Sequence, residues 1–236
     1  MPLEAQLFQQ PAARSAGDKM RVEIWSDVVC PFCYIGKRNF EKALSSFPHR
    51  DKIDIVWKSF QLDPQAETRP DISVYAYLAQ RKNISLAQSK QLHEHVTGMA
   101  RKAGLDYHLD KVIPANTLKA HQMLHFARKQ GKQNETKEAL LRAYFTGGKN
   151  IDDLSTLLQI GSDLGLDTSA LQDALLGNTL TDEVNQDIYE ARQLGIQGVP
   201  YFLFNAQYAV SGAQPPEVFS ATLQKAFNAW KQQGTE

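Results

Sequence analysis

Only two cysteines occur in these 236 residues, and that scarcity excludes a class. A small secreted domain stapled by disulfides needs several pairs, so these two serve some other purpose. Nor does any apolar run approach the roughly 18 residues of a membrane span. Net charge is missing as well, with 26 Lys and Arg against 26 Asp and Glu. A nucleic acid or an anionic membrane as partner would favour a basic excess, so neither is expected. No repeat of fixed period runs through the chain. At 42% hydrophobic and 22% charged residues it reads as one large domain or a domain with a sizeable insertion. The first 19 residues, through Lys19, lack an apolar core and do not read as a secretory signal. They are expected to be a disordered extension or tag, with Met20 as the natural start and the cytoplasm as the compartment.

Both cysteines sit in one motif, Cys30-Pro31-Phe32-Cys33. The residues before it, Arg21 to Ser26, alternate polar and apolar as a strand does. After it, Cys33, Gly36, Phe40, Leu44 and Phe47 recur at helical spacing until Pro48. Pro31 suits a first helical turn, where its missing N–H is not needed. Ile53 to Phe60 is a second strand candidate. From Ile72 to about Leu180 the pattern is helical throughout. Ser85 with Gln88 forms a capping-box signature, and Leu92, Val96, Met99 and Ala103 make the expected inner stripe of that helix. A further helix over Thr181 to Leu194 leads through Gly198-Val199-Pro200 into a hairpin, Tyr201–Phe204 and Tyr208–Val210, and then a last amphipathic helix. The fold expected is α/β: a thioredoxin fold with an all-helical insertion between the second strand and the C-terminal hairpin half. Residues 20–65 and 181–236 form the thioredoxin part and 66–180 the insertion.

A helix N-terminus carries about half a positive charge and unpaired N–H groups. A cysteine placed just before it has its thiolate favoured and its pKa lowered. Cys30 holds that place and is the expected nucleophile. Cys33, one turn on, is positioned to attack a mixed disulfide and release product, and is expected to be the less acidic thiol. Half of a zinc site is the main rival reading, since His121 and His125 lie four apart on one helix. Those spacings are far from the usual ones, and no metal is expected. Pro200 stands at a strand start, where proline often marks a cis bond. Opposite the dithiol, Val199 before it would offer its backbone to an extended substrate.

Trp25-Ser-Asp-Val-Val-Cys30-Pro-Phe-Cys33-Tyr-Ile-Gly36, with Asn116-Thr-Leu-Lys-Ala-His121, Gly198-Val-Pro-Tyr-Phe202 and Ser211-Gly-Ala-Gln214, resembles the FrnE-like branch of the DsbA family from Met20 to Trp230. The resemblance implies a helical lid over the dithiol and oxidoreductase or isomerase activity on disulfides of proteins or small molecules. It assigns Cys30 as nucleophile, Cys33 as resolving thiol and Pro200 as the cis-proline, and sets Asn116 and His121 near the mouth of the site. Two departures stand out. The central pair is Pro-Phe where the strongly oxidising relatives have Pro-His, which implies a milder couple. The buried acid found six residues before the nucleophile in many thioredoxins is Ile24 here, leaving Glu23 or Asp27 as substitutes.

Phe32, Trp25, Tyr34 and Phe60 are candidates to line an apolar substrate cleft, Trp25 and Phe60 with core packing as their commoner use. His93 and His95 are expected on the surface. Two further readings compete with the oxidoreductase. One is a glutathione-dependent isomerase or transferase like the kappa-class and 2-hydroxychromene-2-carboxylate isomerase relatives, whose nucleophile position is usually serine. The other is a chaperone-like binding module. No bound cofactor is implied, glutathione entering only as a co-substrate, and both monomer and homodimer stay open.

Overall fold

A computed structural model describes residues 19–233; the N-terminal extension expected from the sequence lies outside them up to residue 18. Alternation builds the first strand, β1 (Met20–Ser26). Met20, Val22 and Ile24 enter one core while Trp25 enters another, as the period-2 reversal of an extended chain requires. Helix α1 (Pro31–Ser45) follows, with Cys30 as its N-cap and Pro31 in its first turn. It supplies the crossover that a parallel pairing needs, and β2 (Ile53–Ser59) returns beside β1, Met20 opposite Ile53 and Ser26 opposite Ser59.

Six helices follow β2: α2 (Val74–Lys82), α3 (Leu86–Lys102), α4 (Leu118–Lys129), α5 (Gln133–Phe145), α6 (Leu154–Asp163) and α7 (Thr168–Leu176). After α8 (Thr181–Gln193) come β3 (Tyr201–Phe204), β4 (Tyr208–Ser211) and α9 (Pro216–Gln233). Strand order is β2-β1-β3-β4, with β3 antiparallel to both β1 and β4. The architecture is α/β, a thioredoxin fold carrying a helical insertion between β2 and the C-terminal half.

Of the three cores among the described residues, α1 belongs to the two larger ones. Its C-terminal half packs Phe40 and Ala43 on the sheet with Val22, Ile24, Phe202, Phe219 and Phe227. Phe40 lies 5.5 Å from the ring of Phe202 and 5.7 Å from that of Phe219. Truncating such a fully buried ring costs about 3–5 kcal/mol. Its first turns instead send Tyr34 and Ile35 into the core of the insertion, among Tyr107, Met123, Leu141 and Phe145. An ionic clamp reinforces this junction. Glu138 of α5 accepts from Tyr34 Oη at 2.6 Å and from Arg38, and with Glu41 it pairs the buried Lys37 ammonium.

The edge of β2 is covered by α5. The Gln133 amide donates to the Trp57 carbonyl at 2.9 Å while its oxygen accepts the Trp57 N–H at 3.0 Å. A side chain thus continues the ladder where no strand exists, which closes an edge that would otherwise be open to pairing. Asn134 accepts from the Trp57 indole at 3.0 Å.

The structure differs from the sequence expectations in one local detail. Leu92 is exposed; the covered face of α3 centres on Ser89, Val96 and Ala100. The cause is α2, an element with no buried residue of its own, which docks along the Ser89 side, Ser89 Oγ donating to the Tyr75 carbonyl at 2.7 Å. The β3–β4 hairpin has a three-residue loop, since Phe204 pairs with Tyr208. Yet Ala206 still adopts φ 51° beside Asn205 at 49°. That conformation costs about 1–2 kcal/mol for alanine. Hydrogen bonds from Gln207 N–H to Phe204 and from Asn205 N–H to Arg21 oppose that cost.

Gln133→Ala strips both partners from the Trp57 peptide groups. Equilibrium urea unfolding is expected to show a loss of about 1–3 kcal/mol, and an unchanged midpoint would contradict the edge-covering role.

Candidate active site

The dithiol sits where β1 ends and α1 begins, and both thiols are reduced and buried. Cys33 N–H bonds the Cys30 carbonyl at 3.0 Å, and Tyr107 Oη donates to the Pro31 carbonyl at 2.6 Å, so the first turn is fixed from both sides. Phe32, between the thiols, is 41% exposed. Leu62, from the segment after β2, is also exposed, and its N–H bonds Asp27 in the loop before the dithiol. Val199-Pro200 is a cis peptide bond, and the Val199 carbonyl accepts from Cys30 Sγ at 3.5 Å. Dithiol and cis-proline therefore face each other. Gly36 makes this approach possible: a Cβ there would stand 2.9 Å from Pro200 Cγ.

The two free thiols interact and titrate as a pair. Burial opposes the Cys33 thiolate. The Cys30 thiol, the Lys137 charge and the Asp27 backbone N–H outweigh it and bring its pKa below the ordinary thiol value. Cys30 moves the other way and well above, because it hydrogen-bonds to Cys33, is buried, and would ionise beside an existing anion. In this closed arrangement the Cys30 S–H donates to the Val199 carbonyl.

Beneath the pair lies Asp27. Burial works against its charge, but hydrogen bonds from His121 and from the Leu62 N–H hold its carboxyl below the usual range. Oδ1 accepts from Val28 N–H at 2.8 Å and His121 Nε2 at 3.2 Å, and Oδ2 from Leu62 N–H at 2.8 Å. His121 itself is pushed down by burial, so the pair is carboxylate and neutral imidazole. With Nε2 donating, Nδ1 is left an acceptor, and it has no partner. Glu23, the other acid considered, has its pKa raised by burial near Glu190 and Lys58 at the opposite face of β1.

Three of the residues singled out in the sequence have other uses. Trp25 is fully buried against Leu203 and Ala191, its indole donating to the Asp187 carbonyl at 3.0 Å, so it lines no cleft. Asn116 spends its side chain locally, donating to the Pro64 and Ala66 carbonyls and accepting from Leu118 N–H at 2.8 Å. That fastens the segment after β2 to the start of α4. His121 lies too deep to touch substrate and reaches the dithiol loop only through Asp27. His125 bonds a different carboxylate, Asp187 at 3.1 Å, so the two histidines and two cysteines do not converge. His93 is half-buried against Tyr75 and bonds Ser89, while His95 is exposed.

One residue escaped the sequence reading altogether. Lys137 of α5 is fully buried, its Nζ 3.5 Å from the Ser26 carbonyl and 5.5 Å from the Trp57 ring. The signal was available: Lys137 interrupts the apolar stripe of Leu140, Leu141 and Tyr144 at helical spacing.

A sulfur pair at a helix N-terminus, with a cis-proline opposite it on a four-stranded mixed sheet, defines a thioredoxin-type dithiol centre. The sequence model of the DSBA-like thioredoxin domain matches residues 21–224, and this chain belongs to that family of thiol oxidoreductases. A probable DsbA oxidoreductase from Streptomyces coelicolor is 38% identical, with a TM-score of 0.82 over 89% of this chain and 90% of that one. The cytosolic disulfide reductase DsbM from Pseudomonas aeruginosa shares the fold at 17% identity, with a TM-score of 0.65 over 89% of this chain and 99% of its own. So does a 2-hydroxychromene-2-carboxylate isomerase at 17% identity, with a TM-score of 0.64 over 92% and 98% of the two chains.

Gly36→Ala pushes a methyl group into Pro200. The expected result is a loss of about 1–3 kcal/mol in stability together with slower thiol exchange. Wild-type stability and exchange rate in this variant would show that α1 and the Pro200 loop do not meet closely.

Proposed function

We propose that this protein is a cytoplasmic thiol–disulfide oxidoreductase using Cys30 and Cys33 on disulfides of proteins or small molecules. The observation that carries the reading is the pair of free cysteines at the start of α1 with the cis Val199-Pro200 bond opposite and the Val199 carbonyl against Cys30 Sγ. Of the two thiols, Cys30 lies on the Val199-Pro200 side, beside exposed Phe32, and is the attacking group. Cys33 lies deeper, against Ser26 and Lys137, and resolves.

In the reducing direction, the Cys30 proton passes along the sulfur–sulfur hydrogen bond to Cys33, which leaves the charge on Cys30 beside the helix N-terminus. Cys30 Sγ attacks one substrate sulfur, the substrate S–S bond breaks, and the expelled thiolate is protonated. Cys33 then loses its proton and attacks Cys30 Sγ, forming the Cys30–Cys33 disulfide and releasing the second substrate thiol. Two electrons have moved from the dithiol to the substrate. The reverse sequence oxidises a substrate dithiol. An incoming backbone N–H on the Val199 carbonyl would compete with the Cys30 S–H for that acceptor and favour the proton shift that arms the nucleophile. Phe32 and Leu62 offer apolar surface to the substrate flanks.

Glutathione is a fitting small co-substrate, and DsbM has also been solved with GSH. The isomerase-type alternative draws on the shared fold with 2-hydroxychromene-2-carboxylate isomerase. It has no use for a second thiol hydrogen-bonded to the first.

Turnover of insulin disulfides and of glutathione disulfide separates these readings. Cys30→Ser is expected to abolish it, a drop of at least about 100-fold. Cys33→Ser is expected to stall with a mixed disulfide on Cys30, visible by mass spectrometry. Full turnover by Cys30→Ser would overturn the assignment.

A further inference from the structure

A fully buried ammonium is costly unless an anion accompanies it. The two buried lysines among the described residues answer that requirement differently. Lys37 has two carboxylates, Glu41 and Glu138. Lys137 has none: its contacts are the Ser26 carbonyl, at the long limit of a hydrogen bond, and the face of Trp57. The charged and titratable groups that act on it are Cys33, Asp27 and Cys30 on the attractive side and Lys37 on the repulsive one. Ser26, whose carbonyl it approaches, ends β1 and leads through Asp27 into the loop that carries Cys30 and Cys33. Cys33 is the strongest of the attracting groups, while Asp27, next in effect, is already held by three donors of its own, so the dithiol is the anion that varies.

We propose that Lys137, delivered by the helical insertion, is the positioning residue that supplies the counter-charge of the reduced dithiol: an ammonium while the sulfur pair carries one negative charge, an amine once the pair is a disulfide. The inference rests on the oxidoreductase reading above and adds to it the source of the charge balance. The balance closes. Reduced, the site holds one thiolate, one S–H and one ammonium. Oxidation to Cys30–Cys33 yields two electrons, the S–H proton and the Lys137 proton, which together convert a substrate disulfide into two thiols. Burial lowers Lys137 to about 8, with the Cys33, Asp27 and Cys30 charges opposing the fall. Loss of the thiolate on oxidation removes part of that opposition, so the amine form is favoured further. Because α5 carries Lys137 and also covers the β2 edge through Gln133, the ionisation of the dithiol depends on the insertion being docked.

The direction of the effect follows. An ammonium stabilises the reduced, anionic form, so its removal raises the thiolate pKa and favours the disulfide. In Lys137→Met, ultraviolet absorbance at 240 nm is expected to show the thiolate pKa raised by about one unit. The equilibrium constant with glutathione is expected to shift about tenfold toward the protein disulfide, which corresponds to about 30 mV. Unfolding stability should be equal or higher, since an apolar side chain of similar volume suits a buried site; a merely structural lysine would not move the pKa or the equilibrium. A second readout needs no variant. In the wild type with 13C-labelled lysine, the Lys137 Cε resonance should titrate at higher pH in the reduced than in the oxidised protein. An unchanged thiolate pKa and glutathione equilibrium in Lys137→Met, or one titration midpoint for Lys137 in both redox states, overturns this inference while leaving the oxidoreductase reading intact. Failure of the wild type to exchange with glutathione at all overturns both.

Discussion

Asp27 keeps a negative charge almost out of contact with water, and it does so because three donors from three parts of the chain converge on it. Val28 N–H comes from its own loop, Leu62 N–H from the segment leaving β2, and His121 Nε2–H from α4 of the insertion. Hydrogen bonds to a charged group contribute about 1.5–3 kcal/mol each, and removing any one leaves part of a buried charge exposed to a low dielectric. The carboxylate thus ties the loop that carries the dithiol to both halves of the fold. It also sets the local field: held ionised, it opposes a full charge on Cys30 and favours the ammonium of Lys137.

The same junction explains why α1 is shared between two cores. Phe40 anchors its later turns on the sheet, whereas Tyr34 and Ile35 are gripped by the insertion and tied to it again through Glu138. A dithiol at the start of such a helix cannot move independently of either half. The enclosure also bears on the inner sulfur, whose charge the Asp27 backbone and Lys137 favour against burial.

Much of this was legible in the sequence. Strand alternation before Cys30, helical spacing after it and the Val199-Pro200 turn were enough to place Cys30, Cys33 and Pro200 in one site, because each signal is local. Asp27 was noted as an acid near the motif, but strand alternation could not tell where it pointed, since it lies one residue past the end of β1. Trp25 and Asn116 looked like site residues from their nearness to motifs. Burial against α8 and short-range capping decide their roles, and both are tertiary facts. Lys137 stands 104 residues after Cys33 in the chain. Its involvement depends on how α5 docks on β2, and the only trace in the sequence was a lysine in an apolar stripe, which more often snorkels to solvent. Leu92 failed for the same kind of reason: periodicity locates a face, but α2 chooses which part of it is covered.

The central claim is that the two sulfurs act as one two-electron centre. Equilibrating the wild-type protein in glutathione buffers of graded redox poise, then trapping free thiols and weighing the products, tests it most directly. The account predicts that both thiols vanish together in a single transition with a two-electron slope, leaving an internal Cys30–Cys33 disulfide. A stable glutathione adduct on one cysteine with the other still free, or no oxidation across the range, would contradict it.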